Sequence, residues 1–130
     1  MALNPATRAA YAFIEGGGIM YWQQITKENR KGFQIVFSVS PETTNPKECF
    51  DESLIDDVIE GIDSGRYEWF IARIEASRHG IKLAEDYLGG CLYKSFEDFC
   101  KPGDYYDDMI ERVIDEAKNN IQLLNEEVKS

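Results

Sequence analysis

Histidine and cysteine are scarce in this chain, with one of the former and three of the latter among 130 residues. Cys49, Cys91 and Cys100 are odd in number and lie 42 and 9 positions apart. Those spacings make neither a disulfide framework nor a C-x-x-C metal knuckle. Reduced thiols, a cytosolic location, no metal and no cofactor are therefore the expectation. No apolar run approaches the ~20 residues that a membrane span needs, so no membrane partner is expected. Met1-Ala2-Leu3-Asn4-Pro5 lacks a basic region followed by an apolar core, and no secretory leader is expected. Gly16-Gly17-Gly18 follows a predicted helix rather than a strand, and no Lys-Ser/Thr comes after it. It reads as a helix exit, not as a phosphate loop.

Bases are also few: 14 Lys and Arg against 24 Asp and Glu give a net charge of −10. The excess is uneven. Residues 51–65 and 95–130 carry −6 each, and the rest of the chain is close to neutral. Both acidic segments have helical patterning, so direct nucleic-acid binding through them is excluded on charge grounds.

What the chain does contain is strongly patterned. In the stretch Arg66–Gly90, Phe70, Ala72, Ile74 and Ala76 alternate with Trp69, Ile71, Arg73 and Glu75. That period of two marks a strand with one buried face. Ser77-Arg78-His79-Gly80 supplies a turn and Ile81–Ala84 a returning strand, giving a β-hairpin. Phe33, Ile35, Phe37 and Val39 mark another strand, expected to pair with 19–25 across a polar loop at 26–32. Asn4-Pro5 starts a predicted helix over Ala6–Glu15. Asp51 caps a second helix with Leu54, Ile55, Val58, Ile59 and Ile62 on one side. Ser95 opens a short helical turn. Asp104 starts the last helix, about 105–125, with Tyr106, Met109, Ile110, Val113, Ala117, Ile121 and Leu124 on one face. The expectation is a single α+β domain over residues 1–130, a four-stranded and mainly antiparallel sheet with helices packed on one face. The order of the second half, β-α-β-β-α, resembles a ferredoxin-like unit without its last strand.

Candidate chemistry is thin. His79, Cys91 and Asp86 have the residue types of a nucleophilic triad, but a hairpin tip and a hairpin arm lie too far apart to assemble one. Asp104, Asp108, Glu111 and Asp115 form a stripe on the last helix, away from its apolar side. A solvated face or a surface for a basic partner explains the stripe better than a cation site does. With Asp56 and Asp57 it forms an acidic partner surface. Tyr67, Trp69 and Ile71 point away from the inferred core and read as an exposed apolar patch, hence as a homo-oligomer contact. Asp86, Tyr87, Gly89, Gly90, Cys91 and Tyr93 form the alternative site. Two glycines within a strand mark a bulge or a close backbone approach, and two tyrosines flank them.

The segment Tyr67–Tyr93, together with the DYYDDM motif at 104–109, resembles small reading frames of bacteria, phages and plasmids. That resemblance covers about half the chain and implies no specific activity, although small acidic proteins of phages and plasmids often engage host machinery, including as decoys that imitate nucleic-acid charge. The leading expectation is a non-enzymatic binding module for a basic protein. The alternative is a small ligand-binding domain or enzyme around Asp86–Tyr93.

Overall fold

The computed structural model describes residues 12–14 and 18–129. Its centre is a four-stranded antiparallel sheet of β3 (Gln23–Arg30), β4 (Phe33–Pro41), β5 (Glu68–Arg78) and β6 (Ile81–Tyr93), in that spatial order. Two helices, α1 (Glu52–Asp63) and α2 (Tyr105–Lys129), complete an α+β domain. Most of the predicted N-terminal helix, with Gly16 and Gly17, lies outside the described residues. Where the two overlap, Ala12–Ile14 is a strand (β1) paired with β2 (Gly18–Met20). Phe13 and Ile14 favour extended backbone.

The hairpin of β5 and β6 forms as expected, and a second one, β3 and β4, matches it. Each turns on two residues with positive φ, Lys31-Gly32 (52° and 85°) and His79-Gly80 (54° and 77°). Positive φ at both central positions matches the right-handed twist of the flanking strands. The segment read as a polar loop, 26–32, is therefore mostly strand. Its inward residues Thr26, Glu28 and Arg30 pair with Phe37, Ile35 and Phe33, so the period of two is written in polar side chains. Tyr106 Oη donates to Glu28 Oε2 at 2.8 Å, and Arg30 bonds Glu28 and Asp107. Polar residues on an edge strand also discourage pairing with other chains.

On one face of the sheet, Phe33, Ile35, Phe37, Phe70, Ala72 and Ile74 are completely buried against α2. Met109, Ile110, Val113, Ile114 and Ala117 supply the helix side of that core. A 3-10 turn, Glu97–Cys100, closes one end with Phe99, whose ring stacks on Phe37 at 5.1 Å. α1 does not share this face. Its Val58 and Ile62 form a separate cluster with Trp69, which alternates with Phe70 and so points the other way. The ferredoxin-like order is also corrected: α1 joins β4 to β5, which are antiparallel neighbours rather than parallel strands around a third.

Candidate functional site

The expected apolar patch at Tyr67, Trp69 and Ile71 is not exposed. Trp69 is only 4% accessible, packed beneath α1 and against Phe50 at a ring distance of 5.8 Å. Its indole N–H donates to the carbonyl of Thr44 at 3.0 Å. Tyr67 and Ile71 are half-buried, and the Tyr67 ring lies against Gly61 with the Arg66 guanidinium 5.5 Å above it. A short helix between the strands covers this end of the sheet, so the basis for an oligomer contact there is removed.

Gly89-Gly90 is a bulge, placed between the pairs Phe70↔Cys91 and Ala72↔Leu88. Two residues of β6 there oppose Ile71 alone, and Gly90 takes φ +67°. The strand loop after β4 fixes this bulge. Glu42 Oε1 accepts the Gly90 N–H at 2.6 Å, while Oε2 accepts Thr43 and Thr44 N–H at 2.9 and 3.1 Å. Carboxylates accept backbone N–H groups strongly, which makes Glu42 the clamp between two distant segments. Nothing local in the sequence marks it, because its partner lies 48 positions away.

Beside the bulge is a cleft of about 300 Å³, with Phe50, Leu88, Cys91, Tyr93 and Tyr105 among its walls. Asp86 is not one of them: it turns toward α2 and meets Arg112 Nε at 3.4 Å. Tyr87 lies on the other face of β6, 5.9 Å from the Trp22 ring, which is stacked under the Arg73 guanidinium. Cys91 is buried, and burial pushes its thiol up to about 12. Its sulfur donates to the Leu88 carbonyl at 3.3 Å. A thiol in that state is not a nucleophile at neutral pH. Burial likewise raises Cys100 to about 11. Tyr93 donates to Asp104 Oδ2 at 2.8 Å, and burial, then this bond, raise its phenol. His79 sits in its turn at the far end of β5 from Phe70, the partner of Cys91. The alternative site is thus split between two faces, and the separate set of His79, Cys91 and Asp86 is not assembled, as the sequence led us to expect.

The acidic residues fare differently from one another. Asp57 and Glu60 of α1 both meet Arg66 at 3.3 Å, while Asp56 is exposed. Asp104 is taken up by Tyr93. On α2, Asp108, Glu111 and Asp115 are all exposed, and no ion pair reaches them among the described residues.

No protein-family model, curated protein or solved structure matches this chain.

The geometry therefore stands on its own. Of the expected partner residues, Asp108, Glu111 and Asp115 are brought together on one rigid ridge, and Asp56 and Asp57 lie apart on α1. The amphipathic period of α2 was the signal that located the ridge. No helix is long and apolar enough to cross a membrane among the described residues.

Proposed function

We propose that this protein is a non-enzymatic interaction module whose α2 ridge engages a basic protein surface. The observation that carries this reading is a contrast in charge pairing. Asp86, Asp107, Glu75 and Glu85 each have a cation within ion-pair distance, from Arg112, Arg30 or Lys82. Asp108, Glu111 and Asp115 have none among the described residues, which is also true of Asp56 on α1, but the three share one exposed face of the helix that packs on the sheet.

The other side of α2 is locked into the sheet by residues 0–2% exposed. Binding through a pre-ordered helix avoids most of the entropy cost of ordering a flexible segment. The ridge from Asp108 to Asp115 rises about 10 Å along the helix. That is close to the ~8 Å Debye length at physiological salt, so its three charges act together on a nearby partner. They repel nucleic-acid phosphate and attract Lys- and Arg-rich surfaces, including those of proteins that bind nucleic acid.

The test compares recovery of partners from lysate by the wild type, by Asp108→Asn/Glu111→Gln/Asp115→Asn, and by Asp56→Asn as a control. The ridge variant loses the partner and the control retains it. Equal recovery by all three would overturn the reading.

A further inference from the structure

One stretch of the sheet's outer edges is unguarded. Along β3 the charged Lys27, Glu28 and Arg30 discourage pairing with another chain. The first half of β6 is guarded differently. Asn120 Nδ2 donates to the Leu83 carbonyl at 2.7 Å, Asp86 Oδ1 accepts the Tyr87 N–H at 3.0 Å, and Lys82, Glu85 and Asp86 add charge. From Tyr87 to Tyr93 no residue is charged. Among the described residues no strand lies outside β6. Beyond the bond of Glu42 to Gly90 and that of the Cys91 thiol to Leu88, no side chain there reaches the backbone of 88–93. An edge in that state presents free N–H and C=O groups.

The cleft of about 300 Å³ beside the bulge runs along this same stretch, with residues 88–93 in its lining. Phe50 and Leu92 wall it on the side of α1, where both pack against the Trp69 cluster. Tyr93 and Tyr105 wall it on the side of α2. A cleft that straddles a strand edge offers main-chain pairing at its floor and separate places for alternate side chains on the two faces, as strand addition requires. Its volume is at the low end of ligand sites, ~300–1,000 Å³, and suits one large side chain.

The surroundings set the charge of an occupant. Glu42 Oε1 adjoins Gly89, and Asp104 accepts from Tyr93 and from the Tyr105 N–H. The partners of both carboxylates are neutral N–H and O–H donors, so neither charge is cancelled. Asp108 lies one turn beyond Tyr105 on the same side of α2, which makes the cleft continuous with the acidic ridge. Of the nearby bases, Lys101 is paired with Asp98 at 3.4 Å and Lys94 follows Tyr93.

We propose that the outer edge of β6 over 88–93 takes up an extended basic segment of the partner that the α2 ridge engages. The segment pairs as a further strand, seats one large apolar side chain in the cleft and turns lysine or arginine toward Asp104 and Asp108. This rests on the ridge reading for the charge of the partner, and on the edge and its cleft for the conformation of the bound segment.

Nuclear magnetic resonance of the full chain tests it, with a peptide of about six residues, alternating lysine and valine around a central phenylalanine, added to about 1 mM. Amide shifts centred on 88–93 and Tyr105 are expected. Shifts that are absent at that concentration, or confined to other residues, overturn the proposal. The same peptide N-methylated along its backbone cannot pair as a strand and loses the shifts; equal binding by it overturns strand addition. A version with glutamate in place of lysine does not bind, and equal binding overturns the charge assignment. Tyr105→Ala weakens the lysine peptide several-fold with the thermal midpoint unchanged, because Tyr105 is already 55% exposed; an unchanged affinity overturns the cleft as its seat. Asp108→Asn/Glu111→Gln/Asp115→Asn also weakens the peptide several-fold while the shifts stay at 88–93, and an unchanged affinity overturns the link to the ridge. Failure of the peptide to bind leaves the lysate test of the ridge variant intact, so the two readings fail separately.

Discussion

Replacing Trp69 separates the two accounts of its face. If the indole faced solvent, Trp69→Ala would cost little stability. In the structure it is 4% exposed, enclosed by Val58, Ile62, Phe50 and Leu92, and bonded to the Thr44 carbonyl. Removing a buried large aromatic costs about 3–5 kcal/mol, including the cavity left behind. Losing the indole N–H bond adds about 1 kcal/mol, partly regained because water reaches the half-buried Thr44. The expected loss is therefore about 4 kcal/mol, and Trp69→Phe, which keeps most of the apolar volume, loses about 1–1.5 kcal/mol. In a domain of this length each kcal/mol lowers the midpoint by about 3–4 °C, so Trp69→Ala melts about 12–16 °C below the wild type. Urea unfolding followed by far-ultraviolet circular dichroism gives the free energy directly. A loss below about 1 kcal/mol for Trp69→Ala would refute the packing of α1 over this face.

Other sites give equally definite expectations. Gly61→Ala would place a methyl inside the contact surface of the Tyr67 ring; helix propensity favours alanine, yet the clash costs about 1–3 kcal/mol by thermal melting. Glu68 has a buried Oε2 with no hydrogen-bond partner among the described residues, and burial, then the nearby Glu97, raise its pKa. A raised folded pKa favours the fold at low pH and opposes it once the group ionises. Glu68→Gln therefore raises the urea midpoint at pH 7, and the gain disappears near pH 4; a gain equal at both would contradict the assignment. Thiol titration of the native protein at pH 8 should modify the exposed Cys49 quickly and leave Cys91 unmodified until the chain unfolds.

The legible parts of this fold are those whose period is apolar. Strands β4 and β5 and helix α2 announce themselves because Phe33, Ile35, Phe37, Phe70, Ile74, Met109 and Val113 recur at the spacing of a buried face. Strand β3 was legible only at its start, Gln23–Ile25; the rest was hidden because its inward residues Thr26, Glu28 and Arg30 meet Tyr106 and Asp107 by hydrogen bonds rather than by apolar contact. The Gly89-Gly90 bulge could be read locally, since two glycines within a strand mark one and Gly90 takes positive φ. Its clamp, Glu42, could not, because that contact depends on how β4 and β6 end up relative to one another. Trp69 misled for a related reason: alternation gives the face on which a side chain lies, and says nothing of what covers that face. The acidic stripe of α2 survived because helical period alone decides it, whereas Asp86 and Asp104 were claimed by Arg112 and Tyr93.

The central claim is that the α2 ridge is a binding surface rather than a solubilising one. The salt dependence of affinity for the recovered partner tests it most directly, measured by calorimetry for the wild type and for Asp108→Asn/Glu111→Gln/Asp115→Asn. If the ridge makes the contact, wild-type affinity falls several-fold between about 50 and about 200 mM salt, and the variant binds weakly with little response to salt. Equal affinity and equal salt dependence for the two proteins would contradict the claim.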